Sequence, residues 1–208
     1  MQNKELYYKN LDRIYDKTHR RKKGDKPIFE RYPSFWHSKF HKGTEFDTTG
    51  FYLTARPNPG AGIGHQMSNW IAGRWFANYF GVNFAHIPFS SQVIPNTTNS
   101  WETFLNFGYG EKNAYELIKA GYKKVRLPKF KETEEEIEII RKIIFSYSGE
   151  KVLFICEQDQ FYHDQYGVMD DIQNKFYAVH KKDNENLLYD KNAFNIAIHV
   201  RRGDIVQQ

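Results

Sequence analysis

Short apolar runs alternate along this chain with longer stretches whose apolar residues recur every three or four positions. Phe51-Tyr52-Leu53-Thr54-Ala55 predicts a strand, being five residues long and rich in β-favouring side chains. After a glycine-rich turn, Met67, Trp70, Ile71, Trp75 and Tyr79 recur at helical spacing and predict a helix from Met67 to Phe80 that Gly81 ends. Val82 to Ile87 predicts a second strand, and Pro88 to Ser100 a polar loop long enough to be functional. Tyr115 to Ala120 predicts a short helix stopped by Gly121, followed by a strand from Lys123 to Leu127 that Pro128 ends. Thr133 and Glu136 have the spacing of a capping box, ahead of an apolar stripe of Ile137, Ile140 and Ile144. Glutamates early in that segment, with Arg141 and Lys142 late, suit the helix dipole. Lys151 to Cys156 predicts a strand, Asp170 to His180 a helix, and Phe194 to Ile198 a last buried strand. Alternation of this kind predicts an α/β, Rossmann-like layered domain with a largely parallel sheet.

Composition narrows the class. At 40% hydrophobic and 17% aromatic residues the 208-residue chain is that of a globular protein, long enough for one domain with a sizeable core. Its one cysteine, Cys156, lies in an apolar run, forms no intrachain disulfide and is expected as a buried small hydrophobe. Met1 to Lys23 is polar and basic, without the apolar stretch of a secretory leader, and no run approaches the twenty apolar residues of a membrane span. The expectation is a cytoplasmic protein.

The net charge of +5 sits at one end: residues 1–45 hold 12 Lys/Arg against 6 Asp/Glu. The cluster His19-Arg20-Arg21-Lys22-Lys23 has the composition for weak contact with an anionic surface or nucleic acid, although a solvated tail is the preferred interpretation. Tyr32, Phe35, Trp36 and Phe40 imply that the second half of this segment packs on something.

Two strings carry the candidate chemistry. Gly60-Ala61-Gly62-Ile63-Gly64-His65-Gln66-Met67 follows a predicted strand and opens a predicted helix, where glycines let the backbone approach an anion and the helix N-terminus offers N–H groups. It is not a dinucleotide fingerprint, since His65 replaces the third glycine, and it lacks the Gly-Lys-Ser/Thr of a P-loop. A plain strand-to-helix turn is the alternative. His199-Val200-Arg201-Arg202-Gly203-Asp204 follows the last predicted strand, at the carboxyl end where open α/β sheets bind ligands. Adjacent arginines there match phosphate oxygens bidentately; a surface ion-pair cluster with Asp204 is the alternative.

Together, in this order, the two strings resemble the Gly-x-Gly-Asn-Gln loop and the His-x-Arg-Arg-x-Asp motif of the fucosyltransferase superfamily. The Val-Arg-Arg-Gly-Asp form is most similar to the alpha-1,2-fucosyltransferase type, glycosyltransferase family 11. About two dozen residues between Phe51 and Asp204 carry the resemblance. His65 stands where the family has Asn; its ring also donates and accepts, but with a titration that an amide lacks.

The resemblance implies a glycosyltransferase-B architecture and metal-independent, inverting transfer of fucose or a related sugar from a GDP-sugar to a glycan. GDP-fucose would be the donor substrate and no cofactor is implied. Arg201 would hold the β-phosphate and stabilise the leaving GDP, and Arg202 would support the pyrophosphate. His199, Asp204, Gly62, Gly64, His65 and Gln66 would contact the donor. The implied organisation is a basic, aromatic-containing extension over 1–45, an acceptor-side domain over 46–192, and the first strand and phosphate loop of a donor domain over 193–208. Because the family's donor domain runs well past this motif, the chain is expected to be an incomplete, inactive fragment of such an enzyme. The residues leave two other interpretations open: a non-catalytic anion- or nucleic-acid-binding module, and a degenerate transferase kept as a structural subunit. Of the remaining histidines, His86 is expected as a satisfied core residue and not an acceptor-side base, and His163 as part of a solvated turn with Asp159 and Asp164.

Overall fold

A computed structural model describes residues 28–43, 47–56, 62–89, 98–159, 166–179, 192 and 194. A 3-10 turn, Ile28–Arg31, leads into α1, Pro33–Phe40. There follow β1 Phe51–Ala55, α2 Ile63–Phe80, β2 Asn83–His86, α3 Thr98–Leu105, β3 Lys112–Asn113, α4 Ala114–Lys119, β4 Lys123–Arg126, α5 Glu134–Phe145, β5 Val152–Cys156 and α6 Met169–Val179. The five strands form one sheet in the order β3-β2-β1-β5-β4, and every pairing is parallel. The fold is therefore α/β, a parallel sheet flanked by helices and compatible with a Rossmann-like layout.

Strand alternation divides the core. Phe51, Leu53, Phe84, Val125, Val152 and Phe154 turn to one face, where Trp70 and Phe76 of α2 and Ile140, Ile143 and Ile144 of α5 cover them. Tyr52, Ala85 and Leu153 turn to the other face, under Leu117 and Ile118 of α4. This division gives the crossovers one common hand, because β1-to-β2 and β4-to-β5 step the same way along the sheet while β3-to-β4 steps back, as the right-handed rule for parallel strands requires. Central β1 and β5 are buried almost throughout, as two-sided coverage of a parallel sheet requires.

Caps set the boundaries. Gly81 ends α2 with φ 67°, and Gly121 follows α4 with φ 88°, backbone that other residues adopt only under strain. Thr133 accepts the Glu136 N–H as expected, but Glu136 reaches past the cap to the Lys131 N–H, so the reciprocal half of the capping box is displaced by two residues. Helix α2 begins four residues before its predicted start: Gly62 is extended and Ile63 packs against the core, which pulls the next residues into a first turn. Gly64, His65 and Gln66 therefore stand on a helix and not in a loop. Helix α3 begins within the last three residues of the expected Pro88 to Ser100 loop and continues, with two-residue β3, through a stretch for which no element was expected. Cys156 is buried, as expected. Among the described residues no helix is long and apolar enough to cross a membrane.

Candidate functional site

The chain order jumps between neighbouring β1 and β5 in the middle of the sheet, and parallel sheets bind ligands beyond the carboxyl ends of their strands. Arg56 follows β1, Arg126 ends β4 and Glu157 follows β5. Arg56 donates to Glu157 Oε1 at 2.9 Å and Arg126 to Oε2 at 2.7 Å, so one carboxylate ties three strand ends together. Next to it, buried Gln158 exchanges both amide hydrogen bonds with the Phe130 backbone, fixing the β5 exit to the β4–α5 connection.

The N-terminus of α2 opens onto this point. Gly62 caps the helix at φ −63° and ψ 165° without a side-chain hydrogen bond, and its carbonyl accepts from the His65 and Gln66 N–H groups. The first turn holds no acidic residue, so the positive end of the helix dipole is not offset from within. Gly62 and Gly64 are exposed, and a Cβ on either would meet nothing within 4 Å. Neither has the left-handed backbone that calls for glycine. Gly73, two turns on, differs: its Cβ would stand 2.7 Å from the Ala55 Cβ, so that glycine lets α2 approach β1.

The same helix turns its next polar residues to the β5 exit. His65 Nε2 lies 3.2 Å from Asp159 Oδ1, both side chains about half exposed at 51% and 52%. Asn69 is buried and donates through Nδ2 to Asp159 Oδ1 at 2.6 Å and to the Gln158 carbonyl at 3.1 Å. Gln66, buried as well, stands one helical turn before Asn69. Gly62, Gly64, His65 and Gln66 are thus brought together at the start of α2, beside the β5 exit. Arg201, Arg202, His199 and Asp204 lie outside the described residues, as do Gly60, Ala61 and His163. Phe194, expected to start a buried strand, is 92% exposed and outside regular structure.

A second constellation lies at the carboxyl end of β2. His86 is buried, and its Nδ1 accepts from the Trp70 indole N–H at 3.2 Å. An indole only donates, so the proton of His86 sits on Nε2, which donates to Glu102 Oε1 at 2.6 Å. Glu102 Oε2 accepts the Phe89 N–H at 3.0 Å. Burial pushes the Glu102 pKa up, but the hydrogen bonds from His86 and the Phe89 N–H outweigh it and leave the carboxyl below its ordinary value of 4.5. His86 is the satisfied core histidine expected of it.

Sequence reasoning did not single out Arg56, Arg126, Glu157 or Asn69 for this site. A signal for Arg56 and Glu157 was present, since each is a charged residue at the carboxyl end of an apolar run. Among the described residues no group of three or more His, Cys, Asp or Glu is placed to hold a metal ion. Comparison with family models, with curated proteins and with solved structures found no match.

Proposed function

We propose that this chain is the acceptor-side part of a glycosyltransferase-B enzyme that moves fucose or a related sugar from a GDP-sugar to a glycan, without a metal and with inversion. The observation that carries the proposal is the pair Gly62 and Gly64 where the chain leaves β1 and enters α2. The fold uses neither for strain relief nor for close packing, and both keep the space before a helix N-terminus clear. A pyrophosphate suits that space, because backbone N–H groups and the dipole favour an anion. Near it, the charges of Arg56 and Arg126 are engaged by Glu157, and the His65 ring by Asp159. In this proposal the cations for the departing diphosphate are Arg201 and Arg202, with Arg201 stabilising the charge that develops on GDP. His199 and Asp204 complete the donor contacts.

Calorimetric titration with GDP and ADP at low and moderate salt tests this. The proposal predicts preference for GDP, with a shallow salt dependence. Equal binding of both nucleotides, or weakening with the steep logarithmic salt slope of counterion release, overturns it in favour of a general anion- or nucleic-acid-binding module.

A further inference from the structure

The Trp70–His86–Glu102 chain serves no part of the donor site, and it ends in a cleft. Two elements keep its carboxylate in place: His86 from within, through a ring whose tautomer Trp70 fixes, and the Phe89 backbone from the side. Gly108 closes over the pair, where a Cβ would stand 2.8 Å from His86 Cδ2 and 3.2 Å from Glu102 Oε1. A carboxylate has about four acceptor positions, and these two donors occupy two. The Glu102 side chain is still 27% exposed and lines a cleft of about 450 Å³ at the carboxyl ends of β2 and β3.

Thr103, Asn106, Tyr109 and Asn113 supply the rest of its polar wall. The cleft's other carboxylate, Glu111, is 2.8 Å from buried Lys175 and 3.6 Å from Arg74, so its charge is met from behind. Glu102 remains a fixed negative acceptor that repels phosphate and suits a neutral ligand rich in O–H donors. Tyr109, 59% exposed, offers a ring to the C–H face of such a ligand.

We infer that this cleft binds a neutral saccharide, with Glu102 accepting a hydrogen bond from one of its hydroxyls and His86 acting as the positioning residue. That the saccharide is the acceptor of the transfer rests on the function proposed above; its binding here does not. Strands β1 and β2 are parallel neighbours, so the cleft and the α2 N-terminus lie at the same, carboxyl-end edge of the sheet.

The test uses the whole chain labelled with 15N, and the Trp70 indole N–H resonance as reporter. Lactose, maltose and chitobiose are the neutral probes, sodium phosphate and ammonium chloride the charged ones, and GDP is titrated on the same sample. At least one disaccharide shifts the indole signal saturably, and the salts do not. Thr103→Phe, which fills the cleft mouth at an exposed position, abolishes the shift while the indole resonance of the free protein stays where it was. Glu102→Gln weakens saccharide binding about tenfold, as loss of a hydrogen bond to a charged group does. No shift with any of the three sugars, an equal shift with either salt, or full binding by Thr103→Phe overturns the inference. Saccharide binding without GDP binding overturns the transferase proposal and leaves this one standing.

Discussion

Gly64 and Gly73 lie on one helix, and the structure gives them opposite uses. Gly64 is exposed in the first turn of α2 with open space where a Cβ would go. Within a helix, glycine costs about 0.8–1.0 kcal/mol relative to alanine, and less near an end. Gly64→Ala therefore stabilises the fold by up to about 1 kcal/mol. In a 208-residue chain that raises Tm by about 2–4 °C at most. At Gly73 the added Cβ meets the Ala55 Cβ at 2.7 Å and the Ala55 Cα and N at 3.1 and 3.2 Å. Two of these are backbone atoms of the central strand, so relief requires moving α2 away from the sheet. Overpacking costs about 1–3 kcal/mol, here at the upper end, and the gain in helix propensity offsets about 1. Gly73→Ala should lower Tm by roughly 4–8 °C. Thermal unfolding followed by far-ultraviolet circular dichroism reads both variants. If the space before Gly64 is the nucleotide's, Gly64→Ala also loses GDP affinity while gaining stability. A loss of stability in Gly64→Ala would mean that the fold itself needs this glycine, and the proposed anion site would lose its support.

Removing the ring in His86→Ala leaves the Trp70 indole N–H and the Glu102 carboxylate without their shared partner and should cost about 2–4 kcal/mol in urea unfolding; a loss below roughly 0.5 kcal/mol would show that the chain is not held as described. The buried Thr54 hydroxyl has no hydrogen-bond partner among the described residues, so Thr54→Val should stabilise by about 1 kcal/mol, and clear destabilisation would reveal a partner that the hydroxyl needs. His37 stacks on Tyr147 at 3.8 Å, and burial, then the charges of His41 and Lys123, hold its pKa below the ordinary 6.5 against the pull of Glu150. The folded state then binds fewer protons than the unfolded chain, so stability falls as pH drops through 6.5 and levels off below the folded pKa. Urea midpoints on both sides of that pH should show a drop in the wild type that is smaller in His37→Gln; equal drops would remove His37 from the account.

Much of the fold was legible because local signals and tertiary packing agree. Strand β1 was predicted to the residue, for a five-residue run holding Phe51, Tyr52 and Thr54 meets a charged residue at one end and glycine at the other. Gly81 and Gly121 marked helix ends because only left-handed backbone fits there. The start of α2 was misplaced because Ile63-Gly64-His65-Gln66 has no helical pattern of its own; Gly62 and the core contact of Ile63 impose the turn. Helix α3 escaped notice for a similar reason, its apolar residues Trp101, Phe104 and Leu105 being too few for a repeat. Strand β3 is two residues long, and its pairing to β2 is a tertiary event. At the site, the glycine-rich turn was recognisable from composition. Its partners Asn69 and Asp159 were not, since a helix and a strand exit 90 positions apart bring them together. The Trp70–His86–Glu102 chain depends in the same way on α3, so its cleft could not be read before that helix was known.

In the proposed function the α2 N-terminus, beyond the carboxyl end of β1, takes the diphosphate of a guanine nucleotide. Amide 1H–15N spectra recorded during a GDP titration, with ADP as control, test it most directly. Ile63, Gly64 and His65 should shift saturably with GDP and more weakly with ADP, and Gly64→Ala should lose the response. No change at these amides, or the same change with both nucleotides, would contradict it.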